Sequence, residues 1–215
     1  MENTLIGQKK IIKKINELSN LPHSFSLIGK AGSGKHVLVK YINDKFFDIP
    51  FLDITDNHEE EMLDNIYRYP QKRLYILDMN KITQKEQNKL LKFIEEPFEN
   101  IYVCLLTTDQ NLFLSTIRNR IISYNLDSYS KEELSSFSSL KEIQIDDKYI
   151  LSIIKTPGDL LRIKNNNINL ADIECLCDKI VNKINKASFP NTLSIINKIN
   201  FKDEYDKLDL DFFLR

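Results

Sequence analysis

Cysteine, glycine, tryptophan and net charge are all scarce in this sequence: its 215 residues include three cysteines, five glycines and no tryptophan, and 30 basic side chains face 31 acidic ones. A net charge of −1 excludes a globally basic nucleic-acid binder, so contact with DNA has to come from a local patch or from partners. Long apolar runs are missing too. No stretch approaches the roughly 20 residues of a membrane span, and residues 1–4 lack the basic-then-apolar pattern of a secretion signal. The expected location is the cytoplasm, with no membrane contact. The few cysteines suit that compartment. Cys104 lies in an apolar run, whereas Cys175 and Cys177 form a single C-x-C with no second pair to complete a zinc site. Core or surface thiols and no zinc are expected. The abundance of isoleucine, asparagine and lysine carries no functional signal.

The glycine that is present is concentrated: Gly29, Gly32 and Gly34, three of the five, fall within six positions. They belong to GKAGSGKH (29–36), which follows the phosphate-loop pattern G-x-x-x-x-G-K-[ST] up to its last residue. In such a loop successive backbone N–H groups surround phosphate oxygens, the lysine (here Lys35) neutralises charge, and the final hydroxyl coordinates Mg²⁺. His36 replaces that hydroxyl, and its ring nitrogen suits a hard, reluctantly dehydrated cation poorly. The expected ligand is ATP or ADP, with Mg²⁺ held weakly or not at all. The setting fits, because SFSLIG (24–29) reads as a buried strand and KHVLVKYI (35–42) has helical spacing. An ordinary strand-to-helix turn is the bland alternative.

Strands and helices alternate along the first part of the chain. Apolar runs at 51–54, 73–77, 101–106 and 121–126 join the first strand, predicting an α/β fold with a five-stranded, mostly parallel sheet. The clearest helix covers 83–96: Thr83 and Glu86 form a capping box, Gln87, Leu90, Leu91 and Ile94 share a face, and Pro97 ends it. After Leu126 the strand signals stop, and a second capping box, Ser130 with Glu133, opens a helical region. The expected division is an α/β nucleotide-binding domain over 1–127, a small helical lid over 128–168 that ends in an asparagine-rich linker from Asn165, and further helices over 169–215.

Asp78 ends the run at 74–77, and in an open parallel sheet ligands bind at the carboxyl ends of strands. Its carboxylate is therefore the candidate ligand for a phosphate-bound Mg²⁺. The next residue, where a hydrolytic site needs a carboxylate to orient water, is Met79, and a thioether neither accepts a proton nor fixes a water. His36 and Met79 thus weaken metal binding and water activation together, so restoring hydrolysis is expected to need both His36→Thr and Met79→Glu.

LYILDMN (74–80), QNKLLKFIEEP (87–97), LTTD (106–109) and STIRNR (115–120), taken in order with the phosphate loop, resemble the AAA+ modules of DNA-polymerase clamp loaders. That family's corresponding segments read hhhhDEAD, N-A-L-L-K-x-L-E-E-P, A-T-T and T-I-x-S-R-C. LIGQ (5–8) and LPHSF (21–25) resemble its lead-in to the loop. The resemblance covers about residues 5–165 and fades into the start of a collar domain, cut short, over 169–215. It implies a P-loop AAA+ module with a small helical lid.

The same resemblance assigns roles. Gly29, Gly32, Gly34, Lys35 and His36 match the nucleotide loop, Asp78 the metal contact, and Thr108 the segment called sensor 1. Arg120 matches the arginine finger that reaches a neighbouring subunit's γ-phosphate, a solvated charge being the alternative. KTPGDLL (155–161) is similar to the lid segment G-S-x-R-x-A-L, which puts Gly158 at the sensor-2 arginine position. With His36 and Met79, that loss makes the chain similar to the delta-prime type of bacterial DNA polymerase III, a stator with a degenerate ATP site and an intact finger. The implied partners are other clamp-loader subunits, the sliding clamp and primer-template DNA. Lys81, Lys85, Lys89 and Lys92 recur at roughly helical spacing, as a DNA-facing stripe or as a solvated face. Two other readings remain: an autonomous AAA+ ATPase such as a helicase loader, and a non-enzymatic partner-binding regulator.

Overall fold

The structure, a computed structural model, describes residues 6–55, 72–97, 99–143 and 154–165. All five apolar runs form strands: β1 (Ser24–Ile28), β2 (Leu52–Asp53), β3 (Arg73–Asp78), β4 (Ile101–Thr107) and β5 (Ile122–Asn125). They make one sheet in the order β2-β3-β4-β1-β5, and every pairing in it is parallel. Crossover helices cover both faces of such a sheet, which is why the central strands are apolar at consecutive positions rather than alternate ones.

Residue parity sorts the strand side chains into two layers. Tyr75, Leu77, Val103 and Leu105 pack with Leu90, Phe93 and Ile94 of α3 (Gln84–Glu95). Leu74, Ile76, Cys104 and Leu106 join Phe25 and Leu27 of β1 in the other layer. There they meet Ile11 and Ile15 of α1 (Lys9–Glu17) and Leu38, Val39 and Ile42 of α2 (Lys35–Phe46). Fully burying one such side chain contributes about 1.5–3 kcal/mol, and a one-residue slip would exchange the layers, so register is strongly specified.

The capping box at the start of α3 forms as the sequence predicts, with the Thr83 side chain and Glu86 bonded reciprocally. Its buried face differs in one member. Phe93 is in the core, whereas Leu91 is half-buried at the margin. Both positions flank the stripe set by Gln87, Leu90 and Ile94, and the larger ring fills the space. Gln87 is buried because its amide bridges backbone, donating to Leu112 O at 2.9 Å and accepting from Leu114 N at 3.0 Å. That ties α3 to the short 3-10 turn Gln110–Leu112 and to α4 (Ser115–Arg118).

α1 is fastened at both ends. At its start Gln8, at φ 56°, places a buried amide against Asp127, donating to the carbonyl and accepting from the N–H, both at 2.8 Å. At its end the Lys45 amine, from α2, donates to Ile15 O at 2.7 Å and Asn16 O at 3.0 Å.

The chain divides into two compact units after Glu133. The first carries the sheet. The second contains most of α5 (Lys131–Leu140) and all of α6 (Pro157–Asn165). Ser130 and Glu133 bond reciprocally at the start of α5, at 2.9 and 3.2 Å, as their spacing predicts. At its other end Glu142 adopts φ 53°, letting Ile143 N–H return to Ser138 O at 2.8 Å in a Schellman-type closure. Lys164 of α6 donates to Lys141 O, and Asp159 accepts from the Lys155 and Thr156 N–H groups at the start of α6. Among the described residues no helix is long and apolar enough to cross a membrane. The collar-like segment expected over 169–215, with Cys175 and Cys177, lies outside the described residues, as does the linker beyond Asn165.

Candidate functional site

The phosphate loop joins the end of β1, the sheet's fourth strand, to α2, and its glycines are needed for two reasons. A Cβ at Gly29 would lie 2.7 Å from Ser33 Oγ and 3.0 Å from Leu126 Cβ. Gly32 and Gly34 stand at φ 74° and 87°, a region side chains disfavour. Gly34 is the N-cap of α2, and no side chain caps that helix. Its first N–H groups therefore have no intrahelical partner and sit at the positive end of the helix dipole. Such an end binds anions. Lys35 reaches back over the loop, donating to Gly29 O at 2.5 Å and Lys30 O at 3.0 Å. Burial lowers the Lys35 pKa, and the negative charge of Asp78 partly opposes that. His36 is exposed on the first turn of α2.

Parity at the end of β3 separates Asp78 from Met79. Asp78 continues the series of Leu74 and Ile76 and lies close enough to Lys35 to act on its charge. Met79 continues the opposite series of Tyr75 and Leu77, and at 2% exposure it is part of the apolar layer beneath α3. Asp78 N–H donates to Thr55 Oγ1 at 2.9 Å, and that hydroxyl donates in turn to Asp53 Oδ1 at 2.6 Å. The Asp78 carboxylate accepts at Oδ1 from Asn80 N–H at 3.1 Å and from the Asn80 side-chain amide. Asn80 Oδ1 accepts from Thr108 Oγ1 at 2.7 Å and Thr108 N–H at 3.3 Å. Asn80 thus links the expected metal ligand to the expected sensor residue. Sequence reasoning did not single it out. The available signal was an amide two residues past Asp78, able to fold back in an Asx turn.

Asp78 is the side chain expected to meet Mg²⁺, and it accepts two hydrogen bonds at Oδ1; His36, at the position where the loop pattern has a hydroxyl, offers nitrogen instead of the oxygen Mg²⁺ prefers.

Arg120 lies just past α4, away from the loop residues in sequence. Its Nε is 2.7 Å from Glu95 Oε1 in an ion pair whose side chains are 44% and 45% exposed, and Nη1 donates to Thr116 O at 2.9 Å. Lys85, Lys89 and Lys92 share one face of α3 at i, i+4 and i+7, while Lys81 lies in the turn before it.

Residues 53–130 match the family described as "DNA polymerase III, delta subunit". The chain is 30% identical over 169 residues to a DNA polymerase III subunit gamma of Buchnera aphidicola (subsp. Schizaphis graminum), covering 62% of this chain and 47% of that protein. It is 32% identical over 83 residues to a DNA polymerase III subunit delta' of Buchnera aphidicola (subsp. Baizongia pistaciae), covering 39% of this chain and 25% of that one. The chain therefore spans about half the length of the gamma relative, and less of the delta' relative. Among solved structures, the Thermotoga maritima RuvB Holliday junction branch migration motor aligns with a TM-score of 0.58 at 22% identity, covering 93% of this chain and 72% of that one. A point mutant of RuvB aligns with a TM-score of 0.55 at 22% identity, covering 75% of this chain and 63% of that one. Those structures share the fold. Fold, motif order and relatives point the same way: the chain is similar to the gamma and delta' subunits of DNA polymerase III, and its five-stranded α/β unit is consistent with a P-loop AAA+ module and with the delta-prime-like resemblance of its motifs.

Proposed function

We propose that the chain is a clamp-loader subunit that binds nucleotide weakly or not at all, hydrolyses little by itself, and presents Arg120 to nucleotide held by a neighbouring subunit. The observation that carries this reading is the burial of Met79 directly after Asp78. With that position given to the core and Asn80 engaging both Asp78 and Thr108, neither of the two residues after Asp78 offers a carboxylate to orient a water. Arg120 supports the second half of the reading. Its guanidinium is half-exposed and held by Glu95 and Thr116 O, so it is oriented before any partner arrives. Other subunits, the sliding clamp and primer-template DNA are the partners proposed. Lys81, Lys85, Lys89 and Lys92 are the proposed DNA contacts, and neutralising them should lower the salt dependence of DNA binding by the assembly.

The test is turnover, first alone and then in the assembly. The purified chain with Mg-ATP should show negligible hydrolysis, and steady cycling would instead favour an autonomous motor. In the complex, Arg120→Ala should slow hydrolysis, fingers supplied in trans being worth about 10³–10⁵ in rate, with averaging over several sites reducing the observed loss. Arg118→Ala is the control, since a mere surface charge acts alike at both positions. Equal and negligible effects of the two substitutions would remove the finger from the proposal.

A further inference from the structure

Tyr129 belongs to none of the motifs above, yet it touches the phosphate loop. Its hydroxyl donates to Ser33 O at 2.9 Å, across 96 residues of sequence. Its ring lies against Gly7, which stands at φ 76°, and a Cβ there would be 2.9 Å from Tyr129 Cε1 and 3.2 Å from Cδ1. A Cβ added at Gly34 would lie 3.5 Å from the same hydroxyl. The phenol thus lies between the lead-in segment and the loop.

The bonded carbonyl belongs to the Ser33–Gly34 peptide. In a trans peptide the C=O and N–H point in opposite directions. A carbonyl held by Tyr129 therefore turns the Gly34 N–H away from the ring, at the residue that caps α2. A glycine at that position leaves the peptide easy to flip, and a half-buried hydrogen bond from a rigid ring opposes the flip. We propose that Tyr129 is a positioning residue of the phosphate loop, fixing the Ser33–Gly34 peptide so that Gly34 N–H is presented to a phosphate oxygen. This rests on the reading of 29–36 as a phosphate site. The role is backbone placement through the Ser33–Gly34 peptide.

The experiment compares the full chain with Tyr129→Phe, which keeps the ring on Gly7 and removes only the donor. Two readouts are used: amide NMR of the glycines, few enough here to resolve individually, and titration with inorganic pyrophosphate. The Gly34 amide resonance should shift in the variant, because the carbonyl of its own peptide loses its donor. Gly158, in α6, should not move. Pyrophosphate affinity should fall by about 3- to 10-fold, the scale of one lost hydrogen bond, with the melting temperature nearly unchanged. Gly7→Ala, which crowds the ring instead of deleting the hydroxyl, should change the Gly34 amide in the same way. An unaltered Gly34 amide in Tyr129→Phe overturns the proposal, as does tighter pyrophosphate binding, which would make Tyr129 an obstruction. If the wild-type chain binds no pyrophosphate, the reading of the loop fails separately, and the Gly34 amide alone decides whether Tyr129 sets the peptide.

Discussion

The two strand ends that face each other across the site are made of different material. At the end of β1 the chemistry is in the backbone: two glycines at positive φ, a third with no room for a Cβ, and the uncapped N-terminus of α2. At the end of β3 it is in side chains, and there the pattern has been rewired, with Met79 in the core and Asn80 bonded to both Asp78 and Thr108. A backbone device persists as long as the chain keeps its path, so the His36 change leaves its N–H groups in place. A side-chain device is lost residue by residue. On the function proposed above, the module keeps the backbone of a nucleotide site without the side chains for hydrolysis.

The largest expected effect in the isolated chain breaks the side-chain end. Met79→Glu places a carboxylate in an apolar layer where the native side chain is 2% exposed. It should cost about 3–5 kcal/mol of stability, read by urea denaturation, and should not by itself start hydrolysis. A stable Met79→Glu protein would mean that the strand end can turn its side chain outward.

The backbone end is sharpened by Lys35→Ala, which removes the charge that reaches back over the loop. ATP affinity should fall by about 10- to 100-fold, the scale of a charge-assisted hydrogen bond, with the fold intact by circular dichroism. The same lysine gives a pH signature. Its lowered pKa means that the folded chain favours the neutral amine, so the penalty is full below the folded pKa and is relieved as pH rises towards the ordinary value of 10.5. A bound phosphate restores the charge. Calorimetry in buffers of different ionisation enthalpy should show proton uptake on ATP binding that is greater at pH 9 than at pH 7.

Asn80→Ala tests whether the rewiring itself suppresses metal binding. Freeing Asp78 Oδ1 and the Thr108 hydroxyl should raise the Mg²⁺ enhancement of ATP binding by about 2- to 10-fold, in proportion to the hydrogen bonds released. No change would leave His36 as the whole cause. The smallest effect lies outside the site, in the second unit. Glu142→Gly should stabilise the chain by about 0.5–1 kcal/mol in thermal melts, relieving a left-handed residue at the end of α5.

How legible these features were follows from how local they are. The five strands, both capping boxes and the loop read directly from neighbouring residues, because apolar runs, Thr83 with Glu86 and three clustered glycines are local signals. The burial of Phe93 in place of Leu91 was not legible, since both flank the same stripe and only the sheet above decides between them. Three of the ties that shape the site join distant positions: Gln8 to Asp127, Asn80 to Thr108, Tyr129 to Ser33. Periodicity carries no information about such pairs. Gln8 was noticed through family resemblance alone, and its bidentate grip on the Asp127 backbone supplies the physical reason for that glutamine.

That grip also has a consequence in time. During synthesis α1 leaves the ribosome before the sheet, and the backbone that Gln8 clasps follows 119 residues after Gln8. At 5–20 residues per second this is a delay of about 6–24 s. Lys45 arrives much sooner, so the far end of α1 can dock on α2 while its near end waits with a left-handed glutamine and nothing to hold. The clasp therefore joins the unit's first described helix to the newly made exit of β5, and it closes only after the whole sheet has been laid down.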